Sequence, residues 1–177
     1  AKLDEYPLTK EVLDSFHLNL FTGRYMLHIL SRITHFIESE SGLNTKFEDY
    51  VNRKIKNAYD IEHIWANKFE RHTDEFSDEE EFQRFRNKFG ALILLPRDKN
   101  RSFQAATYEV KLPMYFGENL LAKSLNEKSY QNNPQFLRLI NENGFSFKAH
   151  SEFKKNDIIE RQNLYWEISQ KIWDKDK

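Results

Sequence analysis

The sequence predicts an α+β fold that is mostly α-helical, with a small ββα unit set among the helices. Three observations carry that expectation. Long stretches near both ends repeat apolar residues at helical spacing. Two short central runs, YDIEHIW and ALILL, have the length and residue types of strands. Pro96 then closes the second run just before Asp98 can start a helix.

At 177 residues the chain has the length of one ordinary domain with a real core. That single domain, residues 1–177, divides into a helical N-terminal part (1–57), a ββα core (58–115) and a helical C-terminal part (116–177). The chain opens Ala-Lys-Leu rather than with Met and runs almost at once into a helical pattern, so a trimmed chain or a piece of a longer protein, with a missing N-terminal portion, is expected.

Taken in order, Leu8 to Leu20 has roughly helical spacing, and Arg24 to Ser39 has it clearly, with Met26, Leu27, Ile29, Leu30, Ile33, Phe36 and Ile37 on one stripe. Ser41-Gly42 should end that helix. In YDIEHIW, alternation at Tyr59, Ile61 and Ile64 favours a strand. Between the strands, Ser77 reads as an N-cap with Glu80 three residues on. Phe82, Phe85 and Phe89 follow at helical spacing and Gly90 is the stop. A further helix is expected near Glu118 to Leu125, and another from Asn133-Pro134 to Gly144. The last amphipathic helix should run from Asp157 to Trp173.

Composition narrows the chemistry. Aromatic residues make up 15% of the chain, 15 of them Phe, and charged residues 31%, which describes a globular protein with an aromatic core. No run approaches the roughly 18 apolar residues of a membrane span and no signal sequence opens the chain, so a cytoplasmic protein without a membrane partner is expected. The lack of cysteine excludes disulfides and thiolate metal sites, leaving oxygen and imidazole ligands and making hard divalent ions the default. A net charge of −1 means that a polyanion would have to be met by local basic residues.

The residues that could do chemistry lie in and after the two strand-like runs. Hydrolysis of a phosphodiester needs a water, a base to take its proton, and positive charge on the phosphate and the leaving oxygen. His63 is a base suited to neutral pH, while Glu62 and Asn100 are a carboxylate and an amide oxygen of the kind that hold Mg²⁺ or Mn²⁺. Asp60 could replace Glu62 if the strand register slips. Because neighbours on a strand face opposite ways, Glu62 and His63 can share a site only at a bulge or at the strand's end. Asn100 could equally cap the turn after Pro96.

The order YDIEHI, FGALILLPRDKN and a tail of Tyr108, Lys111 and Tyr115 resembles the HNH, or ββα-metal, nuclease superfamily. More narrowly it is similar to the C-terminal nuclease domain of GmrSD-type, modification-dependent restriction enzymes. Their pattern runs E-H-I-x-P, then G-N-L-x-L-L, an Asn, an aromatic, a Lys and a Tyr. The DKN ending also resembles the HNH domain of CRISPR guide-RNA nucleases. The stretches Arg24-Tyr25-Met26-Leu27 and IIERQNLYWEISQKIW extend the likeness over nearly the whole chain.

The resemblance implies a ββα-metal finger embedded in a helical domain and metal-dependent cleavage of DNA, often modified phage DNA. His63 and Asn100 would be catalytic, with His63 the general base. Glu62 and Asn100 would hold the metal, and Lys111 would touch phosphate. A nucleotide-binding or sensing domain or subunit would lie N-terminal. Two positions depart from the pattern. Ala66 stands where the family has Pro, and Ala91 where it has an Asn that braces the histidine loop, so a less firmly braced His63 is expected.

Bland readings compete at each residue. A lone His beside Glu is usually structural, and so are the aromatics at helical spacing. Among the basic residues Arg84, Arg86, Lys88, Arg97, Lys99, Arg101 and Lys111, those flanking Asn100 (Arg97, Lys99, Arg101) are the best candidates for gripping a phosphate backbone. His72 reads as a solvated surface residue, and His17, His28, His35 and His150 lack acidic partners at ligand spacing. The alternatives to a nuclease are a decayed HNH-like module that only binds nucleic acid, and a helical protein–protein adaptor.

Overall fold

A computed structural model describes residues 8–174. The opening Ala-Lys-Leu, and whatever it implies about a missing segment, lies outside the described residues.

The core is built around α2 (Gly23–Glu40), which buries Met26, Ile29, Leu30, Ile33 and Ile37 along the stripe the sequence predicts. It ends at Ser41, whose N–H donates to carbonyls of the last turn, and Gly42 takes the left-handed backbone (φ 80°) that glycine adopts freely. Before it, α1 (Lys10–Ser15) is only six residues long, capped by Thr9. The helix expected to reach Leu20 stops there because His17 leaves it to form an isolated antiparallel bridge with Lys88. After it, α3 (Phe47–Val51) packs on α2, its Tyr50 donating to the buried Glu38 carboxylate.

Two strands follow, β1 (Tyr59–His63) and β2 (Leu92–Pro96), paired antiparallel in the unbroken register Tyr59↔Pro96 through His63↔Leu92. Leu92 to Leu95 are fully buried. A two-stranded sheet leaves a row of unpaired backbone groups on each outer edge. Along β2 side chains meet that need: Tyr165 donates to the carbonyl of Leu92 (2.7 Å) and Asn119 to that of Leu94 (2.7 Å).

Between the strands, α4 (Glu79–Arg86) is capped by Asp78, one residue later than the sequence suggests, through a 2.8 Å bond from the Glu81 N–H. It also ends earlier than expected, at Arg86. Phe89 belongs to a 3-10 turn (Phe89–Ala91) that leads into β2. Gly90 is therefore no helix stop. Its N–H donates to the Gln162 side chain at 2.7 Å, and a Cβ on it would lie 2.6 Å from the backbone nitrogen of Gln162 and collide with the Ile158 carbonyl, so only glycine lets this turn approach the first turns of the C-terminal helix (Lys155–Trp173) so closely.

Directly after β2 comes α5 (Arg97–Phe103), packed on both strands, so the order strand, insertion, strand, helix is present. Then follow α6 (Tyr108–Tyr115), α7 (Leu120–Lys123), α8 (Pro134–Asn143, ended by Gly144 at φ 65°) and α9 (Lys155–Trp173). Their buried side chains join those of α2 and β2 in one apolar core running from Leu8 to Ile168. Among the described residues no helix is long and apolar enough to cross a membrane.

Candidate active site

His63 is the last residue of β1, and its ring is held from the insertion. His63 Nε2 lies 2.8 Å from Asn87 Oδ1, and the Asn87 amide nitrogen donates to the Gln83 carbonyl at 2.7 Å. Since the amide nitrogen is spent on Gln83, Oδ1 faces the ring, Nε2 must carry the proton, and Nδ1 is left as a bare acceptor. Burial, with Arg86 and Lys111 adding positive charge nearby, lowers the ring pKa to about 4. His63 is thus a neutral, oriented base at pH 7.

The brace expected to be lost at Ala91 is supplied by Asn87, four residues earlier, at the C-terminal end of α4. Sequence reading missed this residue. The available signal was an Asn just past the last turn of the insertion helix, a place where Asn commonly ends helices. Trp65 adds a second anchor: its indole donates to the Phe153 carbonyl at 2.7 Å, fixing the chain two residues after His63.

Glu62 does not join His63. The register is regular, so the two side chains leave opposite faces of β1. Glu62, 2% exposed, accepts from Lys111 Nζ at 2.7 Å and from the Tyr115 hydroxyl at 2.8 Å, both on its Oε1. Lys111 is 1% exposed and also donates to the carbonyls of His63 (2.8 Å) and Ile64 (3.4 Å), using all three of its donors inside the chain. It is a buried brace beneath the end of β1, which corrects the expectation that it would touch phosphate. Burial pushes Glu62 up and Lys111 down, and each opposes the other's shift. With two donors on the carboxylate and three acceptors around the ammonium, the charged pair is the stable form.

Asn100, on α5, donates to the carbonyl of Ile61 at 3.4 Å, which sets its amide against β1 two residues from His63 and turns its carbonyl oxygen the other way. Asp60 is clamped between Arg53 (2.5 Å) and Arg97 (3.2 Å), so both of its oxygens are engaged. Arg97 is thereby partly neutralised, while Lys99 and Arg101 stand exposed on α5. A cleft of about 580 Å³ runs beside β1, lined by Asp60, Ile61 and Arg53 on one side and by Leu18, Gly23, Arg24 and Leu27 on the other. Ile61 and His63, two apart, leave the same face of β1, though His63 itself is not among the residues lining the cleft.

Two other histidines differ from expectation. His150 has an acidic partner after all, Asp157 Oδ1 at 2.7 Å, because the loop before α9 folds back over that helix's first turn. His150, Asp157 and Glu160 lie close enough to hold an ion. Each is already committed: Asp157 also caps α9 through the Lys154 N–H (2.7 Å), and Glu160 pairs with Lys148 at 2.7 Å. His72 is half-buried, its ring 4.3 Å from that of Trp65 and 5.0 Å from that of Phe82, so it belongs to the aromatic cluster.

Comparison with known proteins gives the class of this domain, which is of the restriction endonuclease kind. Residues 17–168 match the family model of GmrSD restriction endonucleases, C-terminal domain, and the chain belongs to that family. No curated protein and no solved structure matches it.

Proposed function

We propose that this chain is a metal-dependent DNA endonuclease of the HNH type, acting in the cytoplasm to restrict foreign or modified phage DNA. The observation that carries the reading is the His63 ring, neutral, tied at Nε2 and bare at Nδ1, on the strand against which α5 sets Asn100. His63 Nδ1 takes the proton of a water whose oxygen forms the new bond to phosphorus, and the bond from phosphorus to the 3′ oxygen breaks. Mg²⁺ or Mn²⁺ would supply the positive charge on the phosphate and the departing oxygen.

Of the three donors expected to hold that ion, Asn100 keeps its oxygen uncommitted. Asp60 enters the set only by giving up its ion pairs with Arg53 and Arg97, and Glu62 offers only Oε2, beside the Oε1 that takes Lys111 and Tyr115. An ammonium 2.7 Å from Glu62 Oε1 repels a cation there. The residues therefore fit a hydrated ion held by Asn100, waters and phosphate oxygens, the low-ligand arrangement Mg²⁺ accepts. Lys99 and Arg101 would meet the phosphate backbone, with Arg97 joining where Asp60 releases it. A nucleotide-binding or sensing part elsewhere in a longer protein is family analogy.

The test is cleavage of supercoiled plasmid at low salt with Mg²⁺, with Mn²⁺ and with EDTA. Metal-dependent nicking is expected. The engaged carboxylates favour one second reading, a module that binds DNA without cutting it, and DNA binding with no cleavage under any metal would select it.

A further inference from the structure

We infer that Leu20 and Phe21 form an apolar wedge that enters the base stack of bound duplex DNA beside the cutting site. The inference rests on the nuclease reading of His63 and adds a contact that this reading does not need.

Leu20 and Phe21 are 99% and 95% exposed, far beyond any other large apolar side chain among the described residues. They are not on a slack loop. Asn19 Oδ1 accepts from the backbone N–H of Phe21 (2.8 Å) and Thr22 (3.0 Å), the Thr22 hydroxyl donates to the His17 carbonyl (2.6 Å), and the Asn19 N–H donates to that hydroxyl (3.0 Å). Four hydrogen bonds thus fix a tight turn whose tip is two apolar side chains pointed into water. Exposure of such side chains costs a free protein some solubility, and the turn is built to maintain it.

The turn is also tied to the site. The Leu18 N–H donates to the Asn87 carbonyl at 2.8 Å, and His17 bridges to Lys88. Asn87 is the residue that holds His63. From Leu18 to Phe21 the chain can span at most about 11 Å, so the tip lies within a few base-pair steps of a phosphate placed at His63. Leu18 and Gly23, on either side of the tip, line the cleft whose opposite wall is Asp60 and Ile61 of β1. A duplex lying along that cleft meets the tip at its rim.

Size and charge choose the occupant. Two side chains offer on the order of 300 Å² of apolar surface, well short of the roughly 800 Å² per partner of a stable protein interface. One or two apolar residues are what a wedge between base steps requires. Arg24 and Arg53 line the cleft beside the tip and Arg84 and Lys88 lie near His17 at its base; against them stand Asp60, paired with Arg53, and Asp14, which acts on Lys88, so the balance is positive, with Arg24 and Arg84 exposed, and suits a polyanion.

The experiment uses the unaltered chain and a Leu20→Ser/Phe21→Ser variant, which changes only exposed side chains. Each is titrated in EDTA, so that the DNA stays intact, against duplexes carrying 2-aminopurine at successive positions. The unaltered chain should raise the fluorescence severalfold at one or two positions. The variant should lose that signal and bind at least tenfold more weakly, with an unchanged salt dependence because the phosphate contacts remain. Binding by the unaltered chain with no fluorescence rise anywhere overturns the wedge and leaves the nuclease reading standing. A variant that instead abolishes self-association in sedimentation, or binding to anionic lipid vesicles, overturns it in favour of a protein or membrane surface. Failure of the unaltered chain to bind DNA at all, both in EDTA and with Ca²⁺ in place of EDTA, overturns the wedge and the nuclease reading together.

Discussion

Replacing Lys111 by Met removes a buried cation while keeping its length, and the structure says what is left behind. Glu62 would keep one hydrogen bond, from Tyr115, in a pocket where it is 2% exposed. Removing one partner of a buried ion pair costs about 3–5 kcal/mol, because the remaining charge stays uncompensated. Arg86, close enough to act on Glu62, softens the loss, so we expect the lower end, about 3 kcal/mol. For a chain of this length that corresponds to a fall in melting temperature of roughly 6–12 °C.

The pH dependence fixes the cause. Without Lys111, burial raises the Glu62 pKa further above its unfolded value, and a carboxyl shifted that way is stabilised at low pH and loses that stabilisation as pH rises. The deficit of the variant should therefore be greatest near pH 7 and shrink as pH falls toward 5. Adding Glu62→Gln should restore much of the stability, since a neutral pair leaves no buried charge. Urea denaturation of the parent and the two variants across pH reads all of this. A Lys111→Met variant within 1 kcal/mol of the parent but weakened in DNA binding would refute the brace and return Lys111 to the phosphate backbone.

Gly90→Ala should destabilise the fold severely, seen as loss of soluble protein or a large drop in melting temperature, because its Cβ meets the α9 backbone rather than a side chain that can move. Asn87→Ala, which frees the His63 tautomer, should lower kcat at least tenfold and shift the acidic limb of the pH–rate profile, while Asn87→Asp should raise the His63 pKa. His63 itself makes stability depend on pH: its folded pKa of about 4 lies below the unfolded value, so stability is full above about pH 6.5 and is lost as pH falls through about 4. His63→Gln should flatten that slope in denaturation experiments. Mn²⁺ binding to the chain alone should be weak, in the millimolar range, and tighten when DNA is added, since Asp60 is engaged by two arginines and Glu62 carries an ammonium beside it, leaving few donors besides the Asn100 oxygen; electron paramagnetic resonance titration would show a tight DNA-independent site if that is wrong.

Much of the fold could be read from local pattern. The α2 stripe, the last helix and the two strand-like runs emerge because one face of each is buried, which imprints a period on the sequence. Helix ends were harder: α4 stops at Arg86 because Asn87 and Gly90 have partners far along the chain, which no periodicity records. The sequence named candidate residues for the site but not their arrangement. His63 and Asn100 do lie against one strand. Glu62 was placed with the wrong partners, since Lys111 and Tyr115 are 49 and 53 residues away. Yet a signal existed: Tyr108, Lys111 and Tyr115, read only as the tail of the family pattern, are spaced three and four apart and form the buried face of α6. An inward-facing lysine on that face requires a buried carboxylate, and Glu62 is one. The links from Asn87 to His63 and from His150 to Asp157 depend on how loops fold back, and nothing in their spacing announces them.

The most direct test of the central claim is plasmid nicking by the chain with Mn²⁺ or Mg²⁺, beside His63→Ala and Asn100→Ala variants shown by circular dichroism to be folded. The account predicts metal-dependent nicking by the parent and loss of at least a hundredfold in rate in both variants, with DNA binding retained. Nicking that survives His63→Ala would contradict it, because no other described residue offers a bare, oriented base at the end of β1.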